Sequence, residues 1–233
     1  MRFRSFAALL YYGLQALCPV AAQSVDPILV REVMAVQDGV ARSKQALRQY
    51  TWTEHTEVRA KGDLKASTEF LCHYDDSGTV TRTPIGKGKE DEAASAISKR
   101  HRVRKKADMQ DYIERAVGMI NTYIPLDPEQ MRHLLQDGRA SLGPPEAGKS
   151  TIRLKDYFQN GDYLIFAYDP ASKALLKATA ISTLGSPKDP VSLEAVFETL
   201  PDGVTHLATA TVNATAKKVQ VITRNSTYEK RTN

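Results

Sequence analysis

The sequence predicts an α+β domain in which one long antiparallel sheet, strongly curved or folded into a sandwich, carries helices inserted after its third strand. Three observations lead there. Apolar residues recur at helical spacing within 26–48 and 109–124, they alternate with polar ones from Tyr50 onward, and short Gly/Asp turns join the alternating runs.

An export signal precedes the domain. Arg2 and Arg4 make a basic start, Phe6 to Val20 form an apolar stretch broken by Gly13, Gln15 and Pro19, and Val20-Ala21-Ala22 offers small residues for cleavage before Gln23. The stretch is shorter than the roughly 20 residues that span a bilayer, so residues 1–22 read as a signal peptide rather than an anchor. Leu17 and Pro19 flank Cys18 where a lipoprotein site needs small residues. Cleavage leaves a single domain, 23–233, periplasmic or secreted. That domain keeps one cysteine, Cys72, so no internal disulfide can form and the core alone must hold the fold. Cys72 follows Phe70-Leu71 in an apolar run and reads as a buried, inert thiol. The formal charge of +5 falls by two with Arg2 and Arg4, too mild a balance to imply a nucleic-acid partner.

Helices are expected at about 26–48, 108–124 and 127–137. In the first, Ile28, Leu29, Val33, Val36, Val40 and Leu47 share a face behind an Asp26 cap and Pro27. Tyr50, Trp52, Thr56 and Val58 then alternate with Thr51, Thr53, His55 and Glu57, although Glu54 interrupts the apolar face. Lys61-Gly62-Asp63 turns into a run with Leu64, Ala66, Phe70, Cys72 and Tyr74 on one side, and Asp75-Asp76-Ser77-Gly78 turns again into Thr79 to Pro84. Residues 86–106 break the alternation and read as an exposed, partly helical connection. Met109, Tyr112, Ile113, Ala116, Val117, Ile120, Tyr123 and Ile124 form a continuous stripe ended by Pro125. In the third helix Asp127 can cap, Pro128 fits the first position, Gln130 can bond back to the cap, Leu126 can staple onto Met131 and Gly138 closes the end.

The remainder is strand after strand, at 150–158, 162–169, 174–184, 190–200, 204–214 and 218–228. Asn160-Gly161, Asp169-Pro170, Gly185 to Pro190 and Pro201-Asp202-Gly203 mark turns. Leu164-Ile165-Phe166-Ala167-Tyr168 is apolar on both faces, as a covered central strand would be. Val191, Leu193, Ala195 and Phe197 instead face away from Ser192, Glu194 and Glu198.

Few residues announce chemistry. Gly143-Pro144-Pro145-Glu146-Ala147-Gly148-Lys149-Ser150 matches the phosphate-loop pattern letter for letter. Pro144 and Pro145 remove backbone donors the phosphates need, and Ile152, Leu154 and Tyr157-Phe158 read as a strand where a helix should start. A loop between helix and strand, with no nucleotide, is the reading. Lys99, Arg100, Arg102, Arg104, Lys105 and Lys106 surround His101 and form either a solvated segment balanced by Glu90, Asp91 and Glu92 or a contact for an anionic membrane surface. No aromatic residues interleave for base stacking. His55, His73, His101, His133 and His206 are scattered without ligand spacing, so no metal and no cofactor are expected. No Gly-x-Ser-x-Gly elbow or paired-carboxylate motif points to an enzyme.

Helix, short meander, two helices and long meander make an order that resembles the periplasmic lipoprotein-carrier fold, the half-barrel of LolA-, LolB- and RseB-like proteins, and more closely a group of uncharacterised secreted bacterial proteins. Tyr50-Thr51-Trp52, Tyr74-Asp75 with Gly78, Tyr123-Ile124-Pro125-Leu126-Asp127-Pro128, Asp162 before Tyr168-Asp169-Pro170, and Leu200-Pro201-Asp202-Gly203 carry the likeness across 26–228. The resemblance implies a curved sheet, with helices on its concave face, enclosing an apolar cavity for acyl chains. Its lining would come from Trp52, Phe70, Phe166 and Phe197 on strands and from Tyr112, Ile113, Val117 and Ile120 on the helix stripe. A distinctive carrier motif has no counterpart here. The expected function is a non-enzymatic binding protein for lipid, an acyl chain or another apolar ligand, including a lipoprotein's. The alternative is an envelope interaction or sensor module, which an apolar surface patch without an internal void would favour. A hydrolase would need titratable groups converging in a cleft.

Overall fold

The computed structural model describes residues 26–86, 96–123, 127–146 and 148–231. The expected signal peptide and its cleavage site lie outside these residues, as do Ile124, Pro125 and the Leu126 staple. Helix α1 (Pro27–Leu47) starts where Asp26 accepts a hydrogen bond from the Ile28 N–H at 2.8 Å. It buries Leu29, Val33, Val36 and Leu47, whereas Ile28 stands 53 % exposed, off the stripe to which the sequence assigned it.

Strands β1 (Tyr50–Ala60) and β2 (Asp63–Tyr74) are joined by Lys61 and Gly62, both at positive φ (56° and 90°), the turn whose twist matches a two-residue hairpin. Strand β3 (Val80–Pro84) follows the Asp75–Gly78 turn. Helix α2 (Ala96–Ile120) is longer at its start than expected. The basic run 99–106, expected in a partly helical connection, lies wholly within it. The helix ends at Ile120, four residues before the expected stop, because the Thr122 and Tyr123 N–H groups close tight turns onto Met119 and Ile120 carbonyls.

Helix α3 (Pro128–Gln136) is capped as expected, with the Asp127 side chain accepting from the Glu129 N–H at 2.9 Å. Gln130 does not reach back to the cap: its side-chain amide donates to the Tyr157 carbonyl and ties α3 to the sheet. Seven strands complete the chain: β4 (Ala140–Glu146), β5 (Lys149–Lys155), β6 (Tyr163–Tyr168), β7 (Leu175–Thr183), β8 (Pro190–Thr199), β9 (Thr205–Ala214) and β10 (Val219–Lys230). β4 corrects the sequence reading, which placed a loop there. Pro144 and Pro145 are tolerated because β4 is an edge strand, and the pairing jumps from Gly143↔Thr151 to Glu146↔Lys149, passing over both prolines.

All ten strands form one open antiparallel sheet in the order β3-β2-β1-β10-β9-β8-β7-β6-β5-β4. Every neighbour pair is a hairpin except β1–β10, which joins the start of the sheet to its end. The chain must therefore pass from one free edge, β3, to the other, β4, and α2 and α3 make that passage. Nine strand spacings of roughly 4.8 Å would put the edges of a flat sheet about 43 Å apart. The 25 residues of α2 span about 37 Å at 1.5 Å each, so a curved sheet brings its edges within reach of a crossing helix.

The crossing puts the helices on one face. α1 packs on β4, β7 and β9, and α2 on β8 and β9. On that concave face Leu154, Leu164, Phe166, Ala178 and Ala195 are buried against Val33, Val36, Ala116 and Ile120. β6 buries Leu164, Phe166 and Tyr168 but leaves Ile165 and Ala167 half-buried. It is thus covered on one face only, against the expectation of a strand covered on both. The fold is α+β, an open curved sheet with its helices inside the curve.

Candidate functional site

The helices do not fill the curve. Between the C-terminal half of α1, the end of α2 and the sheet lies a cavity of about 470 Å³, within the roughly 300–1,000 Å³ typical of small-ligand sites. Val40 and Leu47 descend from α1, and Val117 and Ile120 from α2. The floor is Leu193, Ala195 and Phe197 of β8, continued by Leu207, Ala210 and Val212 of β9 and Val221 of β10. Small residues at Ala195 and Ala210 line the floor, where larger side chains would take up the space. Its polar lining groups are Ser43 and Lys44 on α1, Asn121 after α2, Tyr74 beside β3, and Thr205, Thr223 and the buried His206 on the sheet.

Of the eight lining residues expected from the sequence, Val117, Ile120, Phe166 and Phe197 meet at this cavity, and Trp52, Phe70, Tyr112 and Ile113 lie outside it. Tyr112 is buried on another side of α2, where its hydroxyl donates to Asp189 at 2.6 Å and Lys217 sits 4.3 Å from its ring. Ile113 packs against the core half-buried. Phe70, also half-buried, pairs across the hairpin with Glu54. Trp52 stacks on Tyr228 (ring centroids 5.7 Å, 14° between planes) and lies 5.4 Å from Tyr74, so it stands one layer behind the wall. The sequence reading named neither the α1 residues nor β9–β10 as lining, although the Val33-Val36-Val40-Leu47 stripe and the Val219/Val221 alternation carried that signal.

Around Trp52 the wall is braced. His206, buried in the lining, puts its Nδ1 3.2 Å from the Leu207 carbonyl and its ring 4.1 Å from that of Tyr228. Burial raises the Tyr228 phenol far above its usual range, and its hydroxyl donates to the same carbonyl at 3.2 Å. Glu54, which breaks the apolar alternation of β1, is buried with both carboxylate oxygens held by the Arg82 guanidinium at 2.8 and 3.1 Å. Its stem covers apolar surface while its charge is met at the sheet edge. Cys72, fully buried, has its thiol pushed up to about 11 by burial and then by the Glu54 charge, which removes it from nucleophilic chemistry at neutral pH.

Elsewhere the geometry is plain. A hollow of about 660 Å³ beside Val30 and Met34 is lined, among the described residues, by α1 alone. The phosphate-loop match spans the β4–β5 hairpin, and Lys149-Ser150 opens a strand, as the sequence indicated. Among the described residues no three of His, Cys, Asp and Glu converge at metal-binding distances, and no helix is long and apolar enough to cross a membrane.

With the cavity defined, comparison with known proteins adds orientation. No protein-family model matches the chain, and no curated protein matches it. Solved structures do. A DUF1329 family protein from Desulfovibrio piger shares 10 % identity over 85 % of this chain and 93 % of its own, with a TM-score of 0.39. MucB of Pseudomonas aeruginosa, solved with MucA, shares 11 % identity over 83 % of this chain and 94 % of that one, with a TM-score of 0.22. A second MucB structure, in complex with MucA(peri), matches at 0.21 with the same identity and coverage. At such scores the function has to be argued from this chain's own residues.

Proposed function

We propose that this chain is an exported, non-enzymatic binding protein that holds a lipid, an acyl chain or another apolar ligand in the cavity between α1, α2 and β8–β10. The observation that carries the reading is a 470 Å³ space walled by Val40, Leu47, Val117, Ile120, Phe197 and Val212. Each methylene buried there is worth about 0.8 kcal/mol, so a chain of eight to ten carbons gains roughly 6–8 kcal/mol, which leaves about millimolar binding after roughly 4 kcal/mol or more of association entropy, and longer chains bind more tightly. Trp52 supports the site from behind Tyr74, and Tyr112 and Ile113 from the neighbouring core, whereas Phe70 stands apart on β2.

The test is native mass spectrometry with organic extraction, on mature protein purified from its own host without detergent. A co-purifying lipid or acylated peptide is expected, and Ala210→Trp, which fills the cavity from β9, should lose it while keeping a cooperative melt. A clean apo mass that persists after incubation with host lipids would reject the reading.

A second reading, an envelope interaction module, draws on the β2–β3 edge. Among the described residues β3 pairs only with Phe70–Tyr74, and Leu64, Leu71 and Ile85 stand exposed at 52, 43 and 44 % on these two strands and just beyond. Such an edge accepts an added strand from a partner.

A further inference from the structure

The charges at the cavity are of one sign. Lys44 is the lone lysine or arginine among the lining residues described, and no aspartate or glutamate lines the space. Next to it, Arg48 lays its guanidinium over Gly78, another lining residue. Gly78 adopts φ +79°, and any Cβ there would collide with that guanidinium. Burial raises the Tyr74 phenol at the same margin, and the Arg48 charge is the largest of the effects opposing that rise. Among the described residues neither Lys44 nor Arg48 is in an ion pair. Both sit at the C-terminal end of α1, whose backbone carries only about half a negative charge. Asp75 and Asp76 of the same turn do not line the space, and the Asp75 carboxylate is occupied by the Ser77 hydroxyl and the Thr79 N–H, so among the described residues Lys44 and Arg48 are the cations free to meet a ligand at the margin of an apolar space.

We infer that the ligand is an anionic amphiphile with a single chain, its tail in the cavity and a carboxylate or phosphate head at Lys44 and Arg48. The inference rests on the apolar-ligand reading above and adds the chemistry of the head. A neutral head would gain only hydrogen bonds without the ion-pair contribution, and a cationic one would be repelled. Lys44 is exposed and Arg48 half-buried, so a head placed between them remains partly hydrated and its charge need not be fully stripped of water.

Trp52 is the sequence's one tryptophan and lies against Tyr74 of the wall, so its fluorescence reports occupancy without a label. Titrations of the mature protein with dodecanoate, dodecyl phosphate and dodecanol, all below their micellar concentrations, separate tail from head. Both anions should bind roughly ten-fold or more tightly than dodecanol, and raising the ionic strength to about 1 M should shrink that advantage. Lys44→Gln/Arg48→Gln should remove the preference and leave dodecanol binding within about two-fold. Lys44→Gln alone, at an exposed site, should remove part of it and keeps the test valid if the double variant fails to fold. The stronger of the two anions identifies a carboxylate or a phosphate source. Equal binding of all three, or a preference unchanged in the variants, would overturn the anionic head and leave the apolar cavity standing. Binding of none would overturn both.

Discussion

The Tyr123 hydroxyl donates to Asp162 Oδ2 at 2.5 Å, deep inside the protein, and so fastens the turn after α2 to the β5–β6 connection. The same carboxylate oxygen accepts from the Phe158 and Gln159 N–H groups at 3.0 and 2.8 Å, and Ser182 stands 2.8 Å from the Tyr123 hydroxyl. A carboxylate only 1 % exposed is held by donors from a loop and a helix end that are far apart in sequence.

Removing the phenol leaves that carboxylate short of a donor. Tyr123→Phe should cost about 1–3 kcal/mol, read as a lowered urea midpoint with an unchanged slope. Burial, then the bond to Asp162, raises the Tyr123 phenol, and burial also pushes Tyr112 and Tyr168 up to about 12. Neutral phenols are thus favoured in the fold, and their contribution is complete below the unfolded value of about 10. It should be lost as pH rises through 10 towards the folded values, seen as a falling melting temperature on an alkaline titration.

The opposite sign holds at Asp202. Its carboxylate accepts from the Tyr50 hydroxyl and pairs with Lys230 at 2.9 Å, and these contacts hold it at about 2. Its contribution is present above the unfolded value near 3.9 and is lost as pH falls towards 2. Asp202→Asn should flatten the melting-temperature profile between about pH 4 and 2 and leave the profile at neutral pH parallel to wild type.

Gly39 lies mid-helix, where Ala normally stabilises by about 0.8–1 kcal/mol. Here a Cβ would sit 3.2 Å from the Lys173 carbonyl. The neighbouring Glu32–Lys173 pair at 2.7 Å and the Tyr168–Glu32 bond at 2.8 Å fix that approach. Gly39→Ala should therefore gain nothing, and Gly39→Val should lose about 1–3 kcal/mol in equilibrium unfolding.

Glu54 and Arg82 form a fourth test. Arg82→Met strips a buried carboxylate of its fork and should cost about 1–3 kcal/mol. Adding Glu54→Gln to that variant should recover part of the loss, since a neutral amide is cheaper to bury than an unpaired charge. A double-mutant cycle by chemical denaturation measures the coupling.

Local order was legible in the sequence wherever one residue's conformation or a short period decides the outcome. Asp26 and Asp127 announced two helix starts, Lys61-Gly62 a hairpin, and the alternation of Val191, Leu193 and Ala195 a strand with one buried face. Failures came where a distant partner decides. β4 runs through two prolines because an edge strand needs no donor on its outer side, and α2 stops at Ile120 where Tyr123 turns in to meet Asp162. For the site, alternation identified which faces are apolar but not which faces meet. Phe166 and Phe197 reach the cavity, and Trp52, equally apolar and equally periodic, is covered by Tyr74 and Tyr228.

By itself the sequence determined the class of the fold, its meander and the position of its helices, because caps, turns and periods act over a few residues. Tertiary structure alone decided that β10 would pair with β1, that α2 and α3 would cross the sheet from edge to edge, and that Lys44 and Arg48 would come to the mouth of an apolar space. Those outcomes depend on the curvature of ten strands together, and the volume left under the helices is what small residues such as Ala195 and Ala210 do not fill.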